Sequence, residues 1–131
     1  VYLQETEAGL VIDTALEQTP EGPHGFHIHE FGSCDDAGNA AGGHYNPDGV
    51  KHGYLFTDGF ANAHAGDLGN IVAADNGTAT YRALVPGLGL TSGYYPVADH
   101  AIIVHDQADD FGQPTGNAGA RIGCGVIQVM Q

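Results

Sequence analysis

The chain has 131 residues, enough for one domain that buries its own core without needing metals or bridges merely to fold. Sixteen acidic residues against three basic ones, Lys51, Arg82 and Arg121, give a formal net charge of -13, which repels phosphate backbones and anionic bilayers and excludes nucleic-acid and membrane-surface roles. No apolar run approaches the roughly 18 residues that cross a bilayer, and Val1 to Glu7 lacks the basic start of a signal peptide, so the chain reads as mature or never exported.

Gly is abundant at 21 residues, Trp is absent, and Val, Ile, Thr and Tyr fall in short runs broken by Gly, Asn, Asp and Pro. That pattern favours an all-β domain with large loops, taken as a single unit over residues 1–131. The acid excess reads as a solubility device for high salt or a secreted setting.

Val1 to Thr6 alternates apolar and polar, Ala8-Gly9 supplies a turn, and Leu10 to Leu16 alternates again, predicting a hairpin. A polar connection with Pro20, Gly22 and Pro23 leads to a strand over His24 to Glu30. His27 and His29 lie two residues apart on that strand and so on one face, where both imidazoles can reach one ion. Phe31 to Ala63 shows no sustained periodicity, which is acceptable in a compact domain only where the loop is functional. It carries Cys34, His44 and His52 and ends just before His64 and Asp67.

Gly69 to Ala74 and Thr78 to Val85 flank Asp75-Asn76-Gly77, a hairpin signal of the primed-turn kind. After a Pro- and Gly-rich connection come an apolar strand over Ala98 to His105, an irregular loop from Asp106 to Ala120, and a last strand over Arg121 to Val129. No internal repeat or domain boundary is visible. The two cysteines, Cys34 and Cys124, lack CxxC spacing; they are either buried thiols or a pair closing about 90 residues, stabilising by roughly 4 kcal/mol in the chain-entropy model. A pair implies an oxidising compartment.

Among the eight histidines, the pair at 27 and 29 is joined by His52, His64 and Asp67, the last two spaced to wrap one ion in a turn. Imidazole, carboxylate and water suit zinc or copper, and the lack of thiolate ligands argues against a Cys-type structural zinc site. Three histidines with a carboxylate make a closed zinc set and four make a copper set. The residues at hand fill both only if one histidine serves twice.

The strings GPHGFHIHEFG (22–32), GGHYNP (42–47), KHG (51–53), HAGDLGN (64–70), VHDQADDFG (104–112) and TGNAGARIGCGVI (115–127) resemble copper/zinc superoxide dismutase, in that family's order and over nearly the whole chain. The resemblance implies a Greek-key β-barrel or sandwich, immunoglobulin-like in architecture, with two long functional loops. It makes His27, His29, His44 and His105 the copper ligands, and His44, His52, His64 and Asp67 the zinc ligands, with His44 bridging. Cys34 and Cys124 would form a disulfide pinning the first loop to the last strand. Asp109 would accept hydrogen bonds from His27 and His52, Thr115 would line the mouth of the copper channel, and Arg121 would guide the substrate. His24 and His100 are expected to be structural, and Lys51 to be solvated or to add local positive potential.

The activity so implied is conversion of superoxide to O2 and hydrogen peroxide by alternating reduction and oxidation of His-bound copper, with His44 relaying a proton. The substrate is a small anion, the cofactors are copper and zinc, and a secreted, periplasmic or extracellular setting is expected over a cytoplasmic one. The rival readings are a copper-only relative, a non-catalytic copper-buffering protein of the same fold, and a metal-stabilised structural module. The first is opposed by His52, His64 and Asp67, the second by the complete copper set and Arg121, and the third by Arg121, Thr115 and Asp109.

The chain departs from the family pattern in three ways. The loop from Asp106 to Ala120 is short and lacks lysine, so long-range steering of an anion should be weak. The insert with Tyr54, Leu55, Phe56 and Phe60 is unusually apolar, either a lid over its own zinc site or a homodimer contact. The resemblance begins at the family's second strand and the usual first of eight is not visible, so either that strand was trimmed from this chain, or a partner or a rearranged N-terminus covers the sheet edge it would leave unpaired.

Overall fold

Period-two burial governs the start of the chain. The computed structural model describes residues 1–130, and in it β1 (Tyr2–Thr6) and β2 (Gly9–Leu16) form the expected antiparallel hairpin, with Thr6 opposite Gly9. Leu10, Ile12 and Thr14 are buried while Asp13 and Ala15 face water, as a strand with one wet side requires.

Seven more strands follow: β3 (Gly22–His29), β4 (Asp67–Ala73), β5 (Ala79–Val85), β6 (Leu88–Gly89), β7 (Tyr95–Pro96), β8 (Ala101–His105) and β9 (Arg121–Val126). The main sheet runs β1-β2-β5-β4-β3-β8-β9, with every neighbouring pair antiparallel, and β6 with β7 forms a small parallel pair. The connections from β2 to β3 and from β5 to β8 each pass over two strands, the crossing that defines a Greek key. The sheet curls into a half-barrel around Leu10, Ile12, Phe26, Ile28, Leu68, Ile71, Val85, Val97 and Val104.

The barrel does not close. Among the described residues, β1 and β9 are its two unjoined edges, separated by a cleft of about 890 Å³ that reaches Phe26 and Val104 in the core. These are the unpaired edges expected where the family's usual first strand is not seen.

Three local expectations need correction. The turn between β4 and β5 is not of the primed kind: of Asp75, Asn76 and Gly77 only Gly77 has a positive φ, at 86°, and the Ala74 N–H donates to Thr78 O at 2.8 Å around a three-residue loop. The last strand stops at Val126 and the one before it begins at Ala101, not at Ala98. The long first loop contains two short helices, a 3-10 turn at Asn39–Ala41 and α1 at Leu55–Asp58. The α1 turn is local: Asp58 accepts from the Tyr54 N–H at 2.8 Å, and Gly59 leaves it at φ 72°.

Two β-bulges decide where site residues point. Between β3 and β4 the register passes from Gly25 opposite Asn70 to His27 opposite Asp67, so β4 carries one extra residue there; Gly69, at φ 87°, absorbs it. Between β8 and β9 it passes from Val104 opposite Gly123 to His105 opposite Arg121, with Ile122 as the extra residue. Each bulge re-aims a side chain beside the site.

Candidate metal centre

On β3 the alternation expected of a strand separates two functions. Phe26 and Ile28 enter the core, while His27 and His29 stand on the opposite face, at 0% and 1% exposure because the two long loops cover them. On β8, Ile103 and His105 share that face, since Ile103 pairs with His27 across the ladder. His44 arrives from the first loop, held by a backbone bridge between residues 44 and 29.

The structure brings His27, His29, His44 and His105 together so that one ligand atom of each lies within 4.8 Å of the others, all buried. Three of the four rings donate from the nitrogen turned away from the group. The His27 Nε2–H donates to Asp109 Oδ2 at 2.8 Å, the His29 Nδ1–H to Gly42 O at 2.9 Å, and the His105 Nδ1–H to Gly119 O at 3.1 Å. With those protons placed outward, each inward nitrogen keeps a lone pair. The inward His29 and His105 Nε2 atoms are 3.4 Å apart.

The second group is His44, His52, His64 and Asp67, again buried and again within 4.8 Å. His44 Nδ1 lies 3.1 Å from His64 Nδ1 and 2.9 Å from Asp67 Oδ1, and His64 Nδ1 is 3.2 Å from the same oxygen. A tetrahedron with zinc–nitrogen bonds of about 2.0–2.1 Å sets its donors about 3.3 Å apart. His44 belongs to both groups, through Nδ1 on this side.

Two orphaned atoms test the fit of metal ions directly. His27 Nδ1 and His52 Nδ1 are buried side-chain nitrogens without a hydrogen-bond partner. His52 Nδ1 sits only 2.9 Å from Asp67 Oδ2, yet the pair lacks hydrogen-bond geometry. Two electron-rich atoms side by side, both facing one point, are what a shared cation produces. Leaving the two ring nitrogens, His27 Nδ1 and His52 Nδ1, without a partner in a dry interior would otherwise be costly. Thr14 Oγ1 is also buried without a partner, and the structure offers no account of it.

Asp109 ties the groups together, taking His27 Nε2–H on Oδ2 and His52 Nε2–H on Oδ1 at 2.8 and 2.9 Å. Its approach requires Gly116, where a Cβ would stand 2.0 Å from Asp109 Oδ1 and 2.8 Å from His52 Nε2. Asn70, which sequence reasoning passed over although it ends the HAGDLGN string, accepts the Asp109 N–H at 2.7 Å and donates to Asp109 O at 3.1 Å. Asp67 is oriented likewise, by the N–H groups of Gly53 and His64 at 2.9 and 2.8 Å.

Burial pushes the His27 ring down to about 4 and the His29 ring to about 2, and lowers His44 and His105, so these imidazoles are neutral and able to coordinate at neutral pH. Burial acts the same way on His52, but in the metal-free chain Asp109 and Asp67 outweigh it and lift this ring to about 9, so a cation bound at Nδ1 would displace a proton there. Burial alone would raise the two carboxyls; their histidine partners and backbone donors hold both well below the usual carboxylate range.

Beside the first group lies a pit of about 160 Å³ lined by His29, His44, His105, Thr115 and Arg121. Arg121 is the only one of the three cations on its wall; burial lowers its pKa from the ordinary arginine value. Its guanidinium donates to Gly38 O at 2.8 Å. Cys34 and Cys124 form a disulfide with Cα atoms 5.8 Å apart. His24 contacts the His105 carbonyl at 2.8 Å and His100 the His29 carbonyl at 3.2 Å, so both brace the backbone of ring-bearing residues, as expected. Lys51 is exposed and does not line the pit.

The apolar insert folds back on its own domain: Leu55 joins the core, Phe60 stacks on Tyr95 at 4.0 Å between ring centroids, and Tyr54 lies against Gly69 and 5.5 Å from Phe111. Phe56 remains 42% exposed.

A half-barrel whose outer face carries four converging imidazoles, one of them shared with a second set closed by a carboxylate, defines a β-sheet metalloprotein with a two-metal centre. Comparison makes this specific. Residues 1–127 match the family described as copper/zinc superoxide dismutase (SODC). The chain is 41% identical to a superoxide dismutase [Cu-Zn] of Haemophilus parainfluenzae, covering 98% of this chain and 72% of the relative. It is 38% identical to superoxide dismutase [Cu-Zn] 2 of Brassica juncea, covering 96% and 85%. A solved structure described as the clock protein EA4 superposes with a TM-score of 0.89 at 32% identity, over 98% of this chain and 84% of that one. The chain belongs to the copper/zinc superoxide dismutase family, and is an enzyme whose cofactors are copper and zinc.

Proposed function

We propose that this chain disproportionates superoxide at the His27, His29, His44 and His105 group, with His44, His52, His64 and Asp67 holding zinc. The observation that carries the reading is the double service of His44, which lies in both four-donor sets. Copper held by His27, His29, His44 and His105 would supply the one-electron redox chemistry by which two superoxide ions and two protons yield O2 and hydrogen peroxide, and zinc would supply fixed charge.

The chain's own residues do the rest. Arg121 draws the anion into the pit and fixes it by charge-assisted hydrogen bonds, with Thr115 at the mouth. His44, on the pit wall with Nδ1 committed to the zinc side, presents Nε2 to the first group and can hold or pass a proton there. Asp109 fixes the tautomers of His27 and His52 from behind. A pit of about 160 Å³ has room for a diatomic anion.

The acid excess supports a reading without nucleic-acid or membrane partners, and no helix among the described residues is long and apolar enough to cross a membrane. The Cys34–Cys124 disulfide supports a secreted, periplasmic or extracellular setting. Pairing with a second copy would use the insert, where Phe56 is exposed.

Metal analysis and a superoxide-decay assay on one purified sample test the proposal. One copper and one zinc per chain with fast decay are expected. Bound copper without acceleration over buffer would make the chain a copper carrier instead.

A further inference from the structure

His52 is held at one ring nitrogen by Asp109 and faces Asp67 with the other, but its backbone has its own partner. The Gln113 side chain accepts the His52 N–H on Oε1 at 3.0 Å and donates from Nε2 to His52 O at 2.7 Å. One carboxamide thus meets both main-chain groups of one residue, as an adjacent strand would. The partners are 61 positions apart and belong to different loops, since Gln113 sits in the second loop and His52 in the first. Neither the family strings nor any spacing rule marks this residue.

We propose that Gln113 is a positioning residue for His52, acting on its backbone, and that through it retention of zinc depends on the second loop. The proposal rests on the assignment of His52 as a zinc ligand. The reasoning is geometric. His52 lies on a stretch without regular secondary structure from Lys51 to Tyr54, so no helix or strand ladder fixes its φ and ψ. Its Cα position must then come from tertiary bonds, and the clamp to Gln113 supplies two. The same loop carries Asp109, which meets the ring, and Thr115, on the pit wall. The loop is itself braced: the Gly112 N–H donates to Asp110 Oδ1 at 2.8 Å, and the Gly116 N–H to Gly112 O at 2.8 Å. Gln113 is exposed, whereas His52 is 2% exposed, so truncating the glutamine opens no core cavity. Partners that orient metal ligands typically change metal affinity by about 10–100-fold when removed.

The test is chelator competition on the full chain, reading zinc and copper separately, for the parent, Gln113→Ala and Gln113→Glu, with thermal melting of each metal-free sample. For Gln113→Ala we expect zinc affinity to fall about tenfold, copper affinity to change less than about threefold, and the metal-free melting temperature to stay within about 2 °C. Gln113→Glu keeps the acceptor for the His52 N–H and turns the donor into a second acceptor facing His52 O, so its zinc affinity should also fall. Parental zinc affinity in both variants overturns the proposal, as does equal weakening of both metals with a lowered melting temperature, which would mark ordinary loop stability. A parent that binds no zinc would sink the zinc-site assignment itself, a result distinct from either.

Discussion

The Arg121 guanidinium donates to the Gly38 carbonyl at 2.8 Å, and Gly38 is held in turn by its own N–H, which donates to Cys34 O at 3.1 Å. Cys34 is bridged to Cys124, three residues beyond Arg121 on the same strand. Arginine, loop and disulfide therefore form one closed mechanical ring, and the bulge at Ile122 turns the arginine across from His105.

Arg121→Ala should lower the second-order rate for superoxide about 10–100-fold, the worth of one charge-assisted hydrogen bond of about 1.5–3 kcal/mol. Copper and zinc contents should not change, because no ligand is touched. A parental rate across a range of salt would remove Arg121 from the mechanism.

Cys34→Ser with Cys124→Ser should destabilise the chain by about 2–5 kcal/mol. It should also cut the rate of the metal-loaded protein, because the Gly38 carbonyl loses its anchor. Denaturant unfolding and activity at matched copper occupancy separate the two effects; unchanged activity in the folded double variant would uncouple Arg121 from the disulfide.

Asp109→Asn keeps size but leaves one acceptor oxygen where two are needed, and places an NH2 group against one ring N–H. Both metals should bind about 10–100-fold more weakly, in contrast to the zinc-selective loss expected at Gln113. Loss of only one metal in equilibrium dialysis would show that Asp109 serves a single site.

The metal-free chain should lose stability as pH falls. His27 and His29 titrate near 4 and 2 when folded against 6.5 when unfolded, so between pH 6.5 and about 4 the unfolded chain binds more protons. Melting temperature should therefore drop across that window. His52, raised to about 9, acts in the opposite sense, contributing stability that is lost as pH rises from 6.5 through 9. Metal-free melting curves that are flat from pH 7 to 4 would contradict the burial of these rings.

Long-range steering should be weak, because Lys51 and Arg82 lie off the pit and the net charge is -13. The rate should change little, or rise slightly, as salt screens the repulsion between protein and superoxide. A steep fall with salt in stopped-flow measurements would show attraction instead.

What the sequence disclosed and what it hid divide along physical lines. The hairpins and the i, i+2 pair at His27 and His29 were legible because strand periodicity is local. That these two four-residue groups would come together was legible only through the ordered family strings, since His44, His52 and His105 meet across loops that carry no period. The bulge at Gly69 and the bonds made by Asn70 and Gln113 were not legible. Each depends on a register or a contact between segments distant in the chain, and a glycine, asparagine or glutamine in a loop has too many ordinary uses to mark one.

The unclosed side of the barrel bears on the last strand. β9 is laddered only to β8, and its other edge faces the cleft toward β1. A strand in that position would ordinarily be free to fray, yet this one carries Arg121. The cross-link at Cys124 stands in for a second ladder, so the thiol–disulfide poise of the surroundings becomes a setting on how firmly Arg121, the proposed anion-binding residue, is seated.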